Sequence, residues 1–281
     1  MTQEPLVLYD DKSPGVARLT LNRPDARNAQ NLDLLLALDA AFTRAMVDEA
    51  VKVIVLGGAA GPHFSAGHDL RRSLSAEPES QFGGRSAAGN FSAPGGAGYM
   101  AREEEAFLAL TRRWRNLAKP TIAEVQGRCI AAGLMLAWVC DLIIASDDAV
   151  FVDPVVAMGV SGVEWFVHPW ELGPRKAKEL LFTGDSWDAQ EAYRLGMVNH
   201  VVPRAELAGF VDAMAARIAT KPAFALRATK QAVNAAIDAQ GQTIATDIAF
   251  QIHHLCHYQN RAMFGTEGDP GGMPPQAGKR V

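Results

Sequence analysis

The chain has 281 residues, of which 48% are apolar and 21% charged, enough for a full hydrophobic core in one α/β unit or two. The net charge of −4 is small and no basic stripe is visible, which argues against nucleic acid as the main partner. Cys129, Cys140 and Cys256 are odd in number and sit in apolar or helical surroundings, so they read as buried thiols of a reducing compartment. The acidic first eleven residues lack the apolar stretch of a signal peptide, and no long uncharged apolar run follows. A soluble, cytoplasmic protein is expected.

Val16–Leu21 alternates apolar and polar residues as a half-buried strand does, and Asn22-Arg23-Pro24-Asp25 breaks it with turn chemistry. Over 31–47, Leu32, Leu35, Leu36, Leu38, Phe42 and Met46 recur at helical spacing. The compact apolar run 52–56 reads as a buried parallel strand ending in Gly57-Gly58. Residues 73–98 are crowded with Ser, Gly, Pro and Ala, and are expected to form a long mobile loop that helps cover the site. A helix is predicted over 101–117, with Glu103, Glu104 and Glu105 in its first turns, where the dipole favours them. Then come a strand at Thr121–Val125, a glycine turn, a short apolar helix to Val139, and a strand over 142–145. Asp141 and Asp147-Asp148 frame that last strand. The final third reads as helical. Asp188 with Glu191 forms a capping box, helices start near Arg204 and after Lys221-Pro222, and the last long one covers 243–264 before a frayed Gly/Pro tail. The expected fold class is α/β, with a core over 1–203 and a helical region over 204–281.

Two glycine-containing turns each follow a strand. The first is His63-Phe64-Ser65-Ala66-Gly67-His68-Asp69-Leu70; the second, Gln126-Gly127 through Gly133, runs straight into a helix. Small residues let a ligand approach the backbone, and free N–H groups at a helix start favour developing negative charge. Two such donors aimed at one point make an oxyanion hole, typically worth ~3–4 kcal/mol per donor. By spacing alone, mere tight packing is the favoured reading of these residues.

The run from Leu19 to Ala29 (LTLNRPDARNA) resembles the N-terminal signature of the crotonase (enoyl-CoA hydratase/isomerase) superfamily. Phe64-Ser65-Ala66-Gly67-His68-Asp69-Leu70 resembles its first oxyanion turn, and Gln126-Gly127 through Gly133, then Cys140-Asp141-Leu142, its second turn and following strand. Leu181-Phe182-Thr183-Gly184-Asp185, with Ala189, Ala192, Gly196, Val198 and Val201-Val202-Pro203, resembles the approach to its C-terminal helices. The resemblance implies a repeated ββα spiral with a C-terminal helical trimerisation region, assembling as a homotrimer or a dimer of trimers. It also implies an acyl-CoA thioester as partner, with no cofactor beyond that CoA. Carried across, the two oxyanion N–H groups fall on His68 and Ala132, and the CoA-contacting backbone on Ala26, Arg27, Ala66, Asp69 and Leu70.

One departure bears on the reaction. Hydratases of the family use two glutamates on the enoyl double bond, and those positions here are Met135 and Val155, the latter following Phe151-Val152-Asp153-Pro154. Neither side chain exchanges a proton, and such groups typically contribute about 10²–10⁴-fold each. Glu164, between Val163 and Trp165, is the candidate substitute, with desolvation expected to raise its pKa. Chlorobenzoyl-CoA dehalogenase and naphthoate synthase, related enzymes, carry an active-site aspartate in this general stretch. The alternative for Glu164 is a surface loop residue. Asp153 is a second candidate, with a turn or cap carboxylate as its alternative, and the His68 ring is expected to line the CoA channel.

His253 and His257 share a helix face with His254 beside them, but no acidic third ligand is evident in the pattern. They read as surface or subunit-contact histidines, and no metal site is expected. Neither a dinucleotide-binding loop nor a Gly-x-Ser-x-Gly elbow is present. The expected function is hydratase-like water addition or elimination beside a CoA thioester. An isomerase, hydrolase or retro-condensation enzyme using Glu164 stays open, as does an inactive CoA-thioester-binding protein.

Overall fold

The computed structural model describes residues 4–71 and 73–273. In chain order the elements are β1 (Val7–Asp10), β2 (Val16–Leu21), α1 (Leu32–Val47), β3 (Val53–Gly58) and β4 (His63–Ser65). After a long irregular segment come α2 (Gly96–Glu103), a π-helical turn (Glu104–Leu108), α3 (Ala109–Arg115), β5 (Thr121–Val125), β6 (Arg128–Ile130) and α4 (Ala132–Trp138). The next group is β7 (Leu142–Ser146), β8 (Val150–Val152), α5 (His168–Glu171), α6 (Pro174–Thr183), β9 (Trp187–Asp188), α7 (Ala189–Leu195) and β10 (His200–Val202). Three helices close the chain: α8 (Leu207–Ala219), α9 (Ala223–Ala239) and α10 (Gln242–Phe264).

Two sheets result, ordered β1-β2-β3-β5-β7-β10 and β4-β6-β8-β9. The pairs β3/β4, β5/β6 and β7/β8 each give one strand to each sheet, so the chain winds as a spiral of strand-pair turns separated by helices. Within the larger sheet β2, β3, β5, β7 and β10 run parallel and only β1 is antiparallel, as an edge. Central β3 and β5 are buried on both faces, which is why β3 reads as a continuous apolar run; β5 carries Thr121 and Glu124 among its apolar residues. The α/β spiral expected from the sequence is borne out. On one face α1 contributes Leu34, Leu35, Leu38 and Phe42 to the main core; on the other, α8 lays Leu207, Val211, Met214 and Ala215 over Val16, Val53, Val55 and Ile122. Asp188 caps α7 through Glu191 N–H (2.8 Å), as its spacing predicted. The three cysteines are unpaired; Cys129 and Cys140 are buried and Cys256 half-buried. Among the described residues, no helix is long and apolar enough to cross a membrane.

The segment over 73–98, expected as a long loop, holds two short 3-10 turns and is bound by two buried charges from the helix that follows. Arg102 donates to the carbonyls of Phe91 (2.8 Å), Leu74 (2.9 Å) and Glu77 (2.9 Å). The carboxylate of Glu105, wholly buried, accepts from Gly83 N–H (2.9 Å), Arg85 N–H (3.0 Å), Ser86 N–H (2.8 Å) and Ser86 Oγ–H (2.6 Å). Composition showed little apolar surface to order this segment, but gave no sign of the distant charges that clasp it. The glutamate triplet is corrected. The helix starts at Gly96 rather than near 101, so Glu103 and Glu105 are mid-helix and buried, not first-turn surface charges.

Burial pushes the Glu105 carboxyl up, but the bonds from Ser86 and Arg85 more than offset it, and its pKa falls below the usual value. Its stabilisation is therefore present above the unfolded-state pKa and lost as pH falls through the lower folded value. Truncation by Glu105→Ala strands four donors. It is expected to cost about 3 kcal/mol and to open 77–95 to limited proteolysis. An unchanged melting temperature and digestion pattern would show that the clasp does not hold the segment.

Candidate active site

The two turns singled out in the sequence meet back to back. After β4, Gly67 O accepts from Gln30 N–H (2.8 Å) and Asp69 N–H donates to Gln30 O (2.9 Å). That is a one-residue parallel bridge between Gln30 and His68. Because the flanking groups face Gln30, the N–H of His68 itself points to the opposite side. The second turn leaves β6 through Ala131, held at φ 48° and ψ −117°, a region L-residues rarely occupy, and α4 begins at Ala132. As the first helical residue, Ala132 has an N–H with no intrahelical acceptor. Among the described residues, neither the His68 nor the Ala132 N–H donates to a backbone carbonyl.

Glycine permits the approach. A Cβ on Gly67 (φ 83°) would lie 2.8 Å from Ile130 O and 3.2 Å from Ala132 N; one on Gly133 would lie 2.6 Å from Ser65 O. The first turn is anchored by buried Ser65, whose Oγ–H donates to Asn28 O (2.9 Å) and whose Oγ accepts from Gln30 Nε2 (3.2 Å). The small residues of the two turns therefore do allow tight packing, each turn lying against the backbone of the other.

The residues expected to contact CoA gather around the first turn. Arg27, in the left-handed region at φ 56°, follows Ala26, and its carbonyl accepts from Ala66 N–H (3.0 Å). The Asp69 carboxylate lies between Arg71 (2.6 Å) and Arg23 (3.0 Å); these guanidiniums, Arg71 foremost, hold it well below the usual carboxylate range. Leu70 is exposed at the rim.

Glu164 is no surface residue. It is 3% exposed, its Oε2 is 3.1 Å from His68 Nε2, and its Oε1 is 3.7 Å from His253 Nε2. The expected upward pKa shift is also corrected: burial pushes Glu164 up, but the neighbouring His68 and His253 outweigh it and leave its pKa below the ordinary value. The two imidazoles thus favour the carboxylate form of Glu164. The His68 ring stacks on Phe107 at a centroid distance of 3.7 Å, so it is fixed by packing as well as by Glu164. Asp153 caps the turn as its alternative had it, receiving Val155 N–H (3.4 Å), and its Oδ2 lies 2.9 Å from buried His168 Nε2. Met135 is buried in α4, and Val155 packs against the same core.

The largest correction concerns α10. His253, His254 and His257 are not surface residues but buried within the chain, and the acidic neighbour missing from the local pattern arrives from α2. Glu103 Oε2 lies 3.3 Å from His253 Nε2, 3.2 Å from His254 Nε2 and 3.8 Å from His257 Nε2. Burial pulls the His253 imidazole down, yet Glu103 and Glu164 hold it at about 9. A cavity of about 600 Å³ lies beyond this cluster, lined by Phe91, Tyr99, Arg102 and Arg261; neither His68 nor Ala132 borders it.

The sequence profile of the enoyl-CoA hydratase/isomerase family matches residues 11–92 and 93–267. The chain belongs to this family. Among its relatives, EchA13 of Mycobacterium tuberculosis, named for enoyl-CoA hydratase activity, is 48% identical over 249 residues, covering 86% of this chain and 77% of that protein. The crotonyl-CoA hydratase of Syntrophomonas wolfei is 35% identical over 240 residues, covering 83% of each. A crystal structure of a Mycobacterium smegmatis protein named as an enoyl-CoA hydratase superposes with a TM-score of 0.84 at 48% identity, covering 94% of this chain and 99% of that one. The family resemblance read from the ordered motifs is borne out.

Proposed function

We propose that this member of the enoyl-CoA hydratase/isomerase family acts on an acyl-CoA thioester, adding or removing water beside the carbonyl. The thioester oxygen is received by the N–H groups of His68 and Ala132, and Ala26, Arg27, Ala66, Asp69 and Leu70 meet the CoA moiety through backbone. The observation that carries the reading is the buried Glu164 against the ring of His68, the residue whose N–H would form half of the hole. In hydration, Glu164 takes a proton from water as the oxygen bonds to the β-carbon. The enolate oxygen is held by the two amides, and the carboxylic acid then returns its proton to the α-carbon. One carboxylate thus serves where Met135 and Val155 offer none. No cofactor beyond CoA is invoked, nucleic acid has no role, and the location is taken as cytoplasmic.

The test is a panel of trans-2-enoyl-CoA esters, followed by loss of the conjugated thioester absorbance alongside direct acyl-CoA binding. Turnover of at least one ester is expected. Saturable binding without product from any ester would favour the second reading, a CoA-thioester-binding protein without catalysis, to which Met135 and Val155 lend support.

Assembly as a homotrimer or a dimer of trimers belongs to the same proposal. Ile244, Ile248, Ile252 and Leu255 recur at helical spacing on α10 and are between 48% and 67% exposed, a contiguous apolar stripe of the kind that marks a protein contact. Light scattering after size exclusion is expected to give a multiple of three chains, and Ile248→Asp with Leu255→Asp a smaller species. A wild-type monomer would sink the assembly.

A further inference from the structure

The histidine cluster of α10 brings two imidazole nitrogens and a buried carboxylate oxygen close to one point. A carbonyl only accepts, so His253 Nδ1–H donates to Gly162 O (2.8 Å) and His257 Nδ1–H donates to Glu267 O (2.6 Å). Both Nε2 atoms, 2.9 Å apart, then turn their lone pairs toward one point, unless a proton lies between them. The Oε2 of Glu103 faces the same point at 3.3 and 3.8 Å and is buried, with His254 Nε2 3.2 Å away on another side. A proton on His253 Nε2 is shared between the other two atoms and is displaced when a metal ion binds. A single cation at the centre serves all three.

We infer that Glu103, His253 and His257 form a binding site for a divalent first-row transition metal, zinc being the one whose chemistry fits this donor set best. Two imidazoles and one carboxylate are a recurrent zinc set, with bonds of about 2.0–2.2 Å that place tetrahedral ligand atoms roughly 3.3 Å apart. The three edges measured here, 2.9, 3.3 and 3.8 Å, scatter about that length. His253 and His257 stand one helical turn apart on the inner face of α10, and Glu103 ends α2 just before the π-helical turn. Each imidazole is aimed by a main-chain carbonyl on its far nitrogen, the support that metal-binding histidines generally have. Around the triad, His254 Nε2 lies 3.2 Å from the same Glu103 oxygen, and the Tyr99 ring stands edge-on to His257. Glu164 Oε1, 3.7 Å from His253 Nε2, is the nearest candidate for the fourth position. A dication also balances the two buried carboxylates, Glu103 and Glu164.

This inference does not rest on the acyl-CoA reading, and its test reads metal rather than turnover. Full-length protein freed of any affinity tag is stripped with chelator, dialysed against Zn²⁺ and assayed by elemental analysis; a parallel sample receives Co²⁺. One metal per chain is expected, with Co²⁺ absorption typical of nitrogen and oxygen ligands and a raised melting temperature. Loss of a supporting residue typically costs 10–100-fold in affinity, so losing a ligand in Glu103→Gln or His257→Gln should cost more than about 100-fold. Should either variant fail to fold, long-range proton–nitrogen NMR of the wild type decides the matter: Zn²⁺ must shift the Nε2 resonances of two histidines. No stoichiometric uptake, uptake unaltered in folded variants, or a spectrum showing only a shared proton would each overturn the assignment.

Discussion

Glu164→Gln is expected to reduce kcat by about 10²–10⁴-fold while leaving acyl-CoA binding within a few-fold of wild type. The substitution keeps the shape of the side chain and its reach toward His68 Nε2, now 3.1 Å away, and removes only the capacity to take a proton. An effect on kcat with KM nearly constant is the signature of a group used in the transition state. Glu164 is buried beside two histidines, so thermal melting of the variant must be measured in parallel. Turnover equal to wild type in a folded variant would remove Glu164 from the mechanism, whatever its burial.

The second large effect is expected at a residue with no side chain. Gly67→Ala puts a methyl group 2.8 Å from Ile130 O and 3.2 Å from Ala132 N, at a backbone φ of 83° that alanine adopts poorly. Real Cβ atoms do not sit that close to a carbonyl, so the two turns must part. Displacing catalytic groups by about 1 Å can cost on the order of 10²-fold, and at least that loss of kcat/KM is expected. Circular dichroism and melting should report a folded protein, less stable by about 1–3 kcal/mol. Full activity would mean that the His68 and Ala132 amides are not held in register by this contact.

What the sequence disclosed and what it hid divide by range. The α/β class, the capped α7 and the two glycine turns rest on local signals: alternation in β2, an unbroken apolar run in β3, Asp188 spaced for Glu191, and small residues after a strand. Those signals survive folding because each states a relation among near neighbours. The sites that were misread all depend on charges that meet from afar. Glu103 looked like a helix-start carboxylate, and only the docking of α2 against α10 turns it toward His253. Glu164 looked desolvated, which it is, but the imidazole that reverses its titration comes from the β4 turn. The inward face of α10 could have been found earlier: Thr246, Phe250, His253, His257 and Asn260 follow helical spacing and are all buried, while Ile244, Ile248, Ile252 and Leu255 share the exposed face. Apolar residues outside and imidazoles inside invert the usual amphipathic pattern.

Arg102 and Glu105 stand on the same short helical stretch as Glu103, so one rod both fastens the 73–98 segment and carries an acid into the interior. That coupling sets a rule for anyone grafting a relative's 73–98 segment onto this scaffold. The graft must bring its own pair of clasping residues at the matching turns of α2, or retain these two and supply carbonyls and amides that meet them. A swap cut at residue 95 would leave an arginine and a glutamate stranded, and the damage would propagate to the imidazole cluster next door.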